Sequence, residues 1–205
     1  MKLFVSVLLA VVLLCTLSSA GTKYVSVYRN PKADLKDLSG KKIACFVVIP
    51  SEEFRSGREE TVAEELRARG LNTIAGYTVL PGPLVKDREK AKAILNTAGV
   101  AGAVMLRLVD DQEAQRQTTA GYYNQPNYGS FWGYWGYGWS SVYVVETTWT
   151  ERVVTLETLI YSIEKDELLW AGRSETTSPK DIKKFVKDLM DAAGKELRKA
   201  GLVPK

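Results

Sequence analysis

Seven consecutive residues, Ile43-Ala44-Cys45-Phe46-Val47-Val48-Ile49, carry only apolar side chains, and Pro50 closes the run. A run of that length between turn residues reads as a strand. Successive side chains of a strand point to opposite faces, so a strand that is apolar at every position needs cover on both. The chain must therefore build a sheet with a packed layer on each side, which is the α/β arrangement.

The neighbouring sequence supplies helices and strands in that alternation. Ser56-Gly57-Arg58-Glu59 has the spacing of a capping box, and the helix it opens carries Val62, Ala63 and Leu66 on one side, with Gly70 as its stop. Leu71 to Leu80 is expected to be a second strand, turned by Pro81-Gly82-Pro83. Asp87 caps a second helix with a buried stripe of Ala91, Ile94, Leu95 and Ala98, and Gly99 ends it. Ala101 to Val109 is the third strand. Val142 to Ile163 and Leu168 to Thr176, separated by Lys165-Asp166-Glu167, predict an antiparallel hairpin. Ser178 and Pro179 are placed to start a last helix with the stripe Ile182, Phe185, Val186, Leu189, Ala193 and Leu197. The expected fold is α/β: βαβαβ followed by an antiparallel β-hairpin and a C-terminal helix on one mixed sheet of about five strands. Residues 41–205 are expected to form one domain. Residues 21–40 are a lead-in in which Tyr24 to Tyr28 alternates as a short edge strand.

The first twenty residues read as a signal peptide. Lys2 precedes the almost wholly apolar run Leu3 to Leu14, and Ser18-Ser19-Ala20 offers small residues for a signal peptidase, so cleavage is expected between Ala20 and Gly21. The run is shorter than a bilayer span. Cys15 follows Leu14, where a bacterial lipid-attachment site wants a small residue, which argues against lipidation. The protein is thus expected to be exported, to the periplasm or the outer membrane. Removing the leader leaves Cys45 alone, so stability must come from the core rather than a disulfide, and Cys45 itself reads as a buried small hydrophobe.

The chain has no histidine, which removes Ser-His-Asp and Cys-His catalysis and histidine metal sites. With one mature cysteine, thiolate zinc sites go too. No cofactor, metal or catalytic residue is assigned. The net charge of +4 is spread among interleaved acids, unlike the one-sided basic face of a nucleic-acid binder.

Between the third strand and the hairpin lies an excursion at 110–141. Residues 117–145 contain no charge, and nine of the 20 aromatic residues fall between Tyr122 and Trp139: Tyr122, Tyr123, Tyr128, Phe131, Trp132, Tyr134, Trp135, Tyr137 and Trp139, with glycines at 121, 129, 133, 136 and 138. Three readings stand. A glycine-rich loop that is costly to order is one. A contact surface for an envelope protein or glycan is the second, because Tyr and Trp bury much area with few rotatable bonds. Membrane-surface contact is the third, and the lack of Lys and Arg weighs against it.

Two charge clusters remain. Asp110, Asp111 and Glu113 stand at the loop entrance, where carboxylates serve as Ca²⁺ ligands, as an acid/base pair or simply as a solvated turn. Arg107, Glu157 and Arg173 fall mid-strand and are expected to face one another across neighbouring strands on an exposed sheet face, at modest energetic worth. Met105, Leu159, Tyr161 and Leu169 are expected on that same face, which would leave it for another subunit to cover in a homo-oligomer.

The order of elements, the Ala98-Gly99-Val100-Ala101-Gly102 entry to the third strand, the Tyr/Gly-rich loop, and Leu156-Glu157-Thr158 leading to Leu168-Leu169-Trp170-Ala171-Gly172 together resemble a group of small exported bacterial proteins, often described as lipoproteins. More distantly the order resembles the amino-terminal domain of TolB and the lipoproteins that activate penicillin-binding proteins. The resemblance implies partner binding in the envelope and carries no catalytic residue. The expected function is a non-enzymatic envelope protein that binds a protein or glycan through the aromatic loop. The alternative is an enzyme on an envelope glycan using Asp110, Asp111 or Glu113.

Overall fold

A computed structural model describes residues 21–49, 51–82, 86–109, 123, 125–140, 153–177, 179 and 181–202. Its centre is one six-stranded mixed sheet in the order β1-β6-β5-β4-β2-β3. The strands are β1 (Thr22–Arg29), β2 (Lys42–Val48), β3 (Thr73–Ala75), β4 (Val100–Leu108), β5 (Val153–Ser162) and β6 (Glu167–Thr177). β2 pairs in parallel with β3 and β4, while β4-β5, β5-β6 and β6-β1 are antiparallel. The expected α/β class and its mixed sheet are present, with one more strand than expected because β1 joins the edge of the same sheet.

The alternation of β2 is read out as predicted. Ile43, Cys45 and Val47 face one layer, formed by α1 (Glu52–Arg67) and the C-terminal helix α5 (Ile182–Lys199), through Val62, Ala63, Leu66, Val186, Leu189 and Met190. Ala44, Phe46 and Val48 face the other. Cys45 is fully buried, and burial pushes its thiol well above the usual range.

That second layer is where the structure departs from the sequence reading. α2 (Arg88–Thr97) supplies only Ala91 and Leu95 to it as buried residues. The rest comes from the aromatic segment, which is no open loop. It forms a turn of helix, α3 (Pro126–Gly129), and then a ten-residue helix, α4 (Phe131–Ser140). Phe131, Trp132, Tyr134 and Trp135 are buried with Tyr123 and Tyr128 against Phe46, Met105, Leu159, Tyr161 and Ala171. The face expected to wait for a second subunit is covered by the chain's own aromatic helix.

Several local expectations also shift. The first helix begins at Glu52, ahead of the capping box expected at Ser56. Its N-cap is Ser51, whose hydroxyl accepts from the Phe54 N–H. Ser56 lies inside α1, where its hydroxyl donates to the Glu53 carbonyl. The expected strand over Leu71 to Leu80 shrinks to Thr73–Ala75, followed by a 3₁₀ turn at Gly76–Thr78. Gly76 makes that turn beside Phe46, whose ring leaves no space for a Cβ. α5 is capped by Asp181 rather than Ser178, and its first residue, Ile182, is exposed. The long fourth strand expected from Val142 is described from Val153 onward, and residues 142–152 lie outside the described residues. Asp87 caps α2 as expected, and Gly70, Gly99 and Gly201 follow their helices with positive φ.

Candidate functional site

The aromatic helix has an unfavourable composition for a helix. Gly133, Gly136 and Gly138 each cost about 1 kcal/mol relative to alanine. A ten-residue helix is also marginal by itself. Docking reverses the balance. Each buried aromatic side chain removes about 150–250 Å² from water, worth roughly 4–6 kcal/mol at 25 cal/mol per Å². The rings also meet edge-on: Phe46 and Trp135 are 5.0 Å apart at 89°, and Phe131 and Tyr161 are 5.5 Å apart at 64°. The segment is helical because it is docked.

Its start is fixed twice. Ser130 acts locally, its hydroxyl accepting from the Gly133 N–H at 3.0 Å. Asp166, far away in the β5–β6 turn, accepts from the Trp132 N–H at 3.0 Å and from the Ser130 hydroxyl at 2.8 Å. Asp166 has φ 50°, a conformation that a tight hairpin turn imposes and that aspartate tolerates. The Lys165-Asp166-Glu167 turn therefore does more than reverse the chain.

The middle of the helix is held by a buried polar network. Arg107 of β4 pairs across the sheet with Glu157 of β5, and Glu157 with Arg173 of β6. The mutual facing expected of these three is present. Their exposure is not: Arg107, Glu157 and Arg173 are all buried, and α4 lies over this part of the sheet. Arg107 Nη2 donates to Glu157 Oε2 at 3.0 Å and to the Tyr128 hydroxyl at 3.2 Å. Its Nε donates to the Tyr134 hydroxyl at 2.9 Å, and that hydroxyl donates to Glu157 Oε2 at 2.8 Å. Burial, and next the Glu157 charge, push the Tyr134 phenol well above its usual range. Leu169 was expected on this face and is not there. A β-bulge between Ile160 and Tyr161 shifts the register, so Leu168 takes the place and Leu169 turns to the α1/α5 side.

A second network joins α1 to the sheet and to the end of the helix. Glu59 of α1 is fully buried and accepts the Val47 N–H at 3.1 Å, the Tyr77 N–H at 2.6 Å and Arg55 Nη1 at 3.1 Å. β3 stops at Ala75, so the carboxylate takes a backbone donor that a longer strand would have taken. Burial pushes the Glu59 carboxyl up to about 7, with Arg55 and the two N–H groups opposing. Arg55 also donates to the Leu80 carbonyl at 2.8 Å, clasps Glu52 with Nε and Nη2 at 2.7 and 2.6 Å, and lies 5.8 Å from the Trp139 ring centroid.

Of the residues expected to form a contact surface, Tyr123, Tyr128, Phe131, Trp132, Tyr134 and Trp135 are thus turned inward. Tyr137 and Trp139 are half-buried, and Tyr122 lies outside the described residues. The outer side of α4 is otherwise made of Gly133, Gly136 and Ser140. An added Cβ at Gly136 would meet open space. Asp110, Asp111 and Glu113 lie outside the described residues, as do Cys15 and Ala20. Sequence reasoning missed Ser130, Asp166, Arg55 and Glu59 as site residues. The helical spacing of Tyr128, Phe131, Trp132, Trp135 and Trp139 was the available signal for the helix itself. Among the described residues no helix is long and apolar enough to cross a membrane, and no three His, Cys, Asp or Glu side chains are grouped to hold a metal ion.

The molecule is a single mixed sheet whose second layer is an aromatic helix. No family model matches the chain. No curated protein matches it. Among solved structures it is similar to two of a PelC dodecamer from Paraburkholderia phytofirmans. The first, a point variant, has 13% identity and a TM-score of 0.42, covering 79% of this chain and 89% of that one. The second has 11% identity and a TM-score of 0.41, covering 79% and 87%.

Proposed function

We propose that the protein is a non-enzymatic binding module of the bacterial cell envelope, periplasmic or associated with the outer membrane. Its partner, a protein or glycan, contacts the outer edge of the aromatic helix. The observation that carries this reading is the combination found on α4. The helix is fastened at its start, middle and end, yet its outward side is uncharged and bare at Gly136, with half-exposed Tyr137 and Trp139 beside it. A rigid aromatic edge with open backbone next to it suits close approach by a partner and loses little side-chain entropy on binding.

Deleting the segment would uncover the sheet, so the test uses the surface alone. Gly136→Glu and Ser140→Glu place charge on exposed positions. Crosslinking pull-downs from the periplasm are compared between the intact protein and the double variant, with matched circular dichroism. The reading expects the captured partners to be lost while the fold stays. Unchanged capture by the double variant contradicts it.

A further inference from the structure

β2 and β4 are adjacent and parallel, and the chain leaves their carboxyl ends in opposite directions: β2 runs through α1 to β3 on one side, β4 continues to β5 on the other. Open α/β sheets bind ligands outside the strand ends at such a switch point. Here two arginines bring that point under the aromatic helix. Arg107, one residue from the end of β4, lies 5.2 Å from the Tyr137 ring centroid. Arg55, in the first turn of the helix that follows β2, lies 5.8 Å from the Trp139 ring centroid. Both half-exposed rings of α4 therefore sit over the two strand ends.

Polar groups converge there as well. Glu52 is half-exposed and is held in a two-pronged grip by Arg55, with the Gly82 N–H donating to the same carboxylate at 3.1 Å. The arginine fixes the carboxylate's direction, and its exposure leaves it open to further donors. The Trp139 indole Nε1 is buried and has no hydrogen-bond partner among the described residues. An unpaired donor of this kind is costly unless a ligand or water completes it. Among the described residues Arg55 is paired with Glu52 and Glu59, and Arg107 with Glu157.

We infer that the carboxyl end of β2 and β4 binds a sugar, with a ring face against Trp139 and hydroxyls on the Glu52 carboxylate. The inference rests on the binding-module reading and names the ligand class for it. A flat aromatic ring takes the apolar face of a pyranose, and an oriented carboxylate accepts its hydroxyls. Trp139 Nε1 donates to a ring substituent. Tyr137 extends the platform toward β4, so an oligosaccharide is favoured over a single sugar.

The probes are tetrasaccharides of N-acetylglucosamine and of glucose, titrated into the mature protein and followed by tryptophan fluorescence and by calorimetry. Saturable binding of at least one is expected. Glu52→Gln and Trp139→Phe should each weaken it about tenfold, the scale of one hydrogen bond to a charged or buried group. Phe54→Ser, an exposed change on the same helix, should leave it unaltered. Variants are compared only where circular dichroism matches the parent. Absence of saturable binding by both probes overturns the inference, as does binding that Glu52→Gln and Trp139→Phe leave unchanged. If periplasmic partners are captured and lost in the Gly136→Glu/Ser140→Glu variant while no sugar binds, the sugar assignment fails and the binding-module reading stands.

Discussion

Replacing Glu157 by alanine tests the buried network most severely. The carboxylate is fully buried and accepts from Arg107 and from the Tyr134 hydroxyl. Its loss takes from the buried Arg107 guanidinium the carboxylate it is paired with, and breaking a buried pair in this way costs about 3–5 kcal/mol. Tyr134→Phe removes one hydrogen bond to a charged acceptor and leaves the ion pair, for a loss of about 1.5–3 kcal/mol. Arg107→Met combined with Glu157→Leu removes both charges and keeps the bulk. That pair should be less destabilised than Glu157→Ala alone, because the Arg107 charge is removed together with its carboxylate. Urea unfolding followed by tryptophan fluorescence gives all three values. If Glu157→Ala shifts stability by less than about 1 kcal/mol, the value of a solvated pair, then α4 does not cover this face and the reasoning is wrong.

Three further outcomes follow from the same geometry. Gly136→Ala should stabilise the protein by about 0.5–1 kcal/mol, seen as a raised melting temperature, since the new methyl meets open space in a helix. Asp166→Ala should cost about 1–2 kcal/mol and reduce the near-ultraviolet dichroism of the aromatic cluster, because Trp132 N–H and the Ser130 hydroxyl lose their acceptor. Glu59 has a folded-state pKa of about 7, raised above its ordinary value near 4.5. Its protonated form therefore contributes stability that is fully present below about 4.5 and lost as pH rises through about 7. Urea midpoints measured across that window should fall with rising pH, and Glu59→Gln should flatten this part of the profile.

The parts of the fold that local chemistry decides could be read from the chain. The unbroken apolar run of β2 demanded two covering layers, Gly70 and Gly99 ended helices, and Asp87 began one. The parts that tertiary contact decides could not. Glycine lowers helix propensity, so Phe131 to Ser140 looked like a loop until the sheet it docks on was in place. The burial of Arg107 and Glu157 depended on that docking and was missed with it. Leu169 changed faces through a bulge, a one-residue event that an alternation pattern does not reveal. Asp166 could be seen as a turn residue, but its second task, holding the Ser130 hydroxyl at the start of α4 from 36 residues away, exists only in three dimensions.

Hydrogen exchange over residues 126–140 tests the central claim most directly. If the aromatic segment is the second layer of the sheet, the amides of Trp135, Gly136, Tyr137 and Gly138 are protected to an extent approaching that of β4. Exchange of these amides as fast as in an unstructured peptide, with β4 still protected, would contradict it.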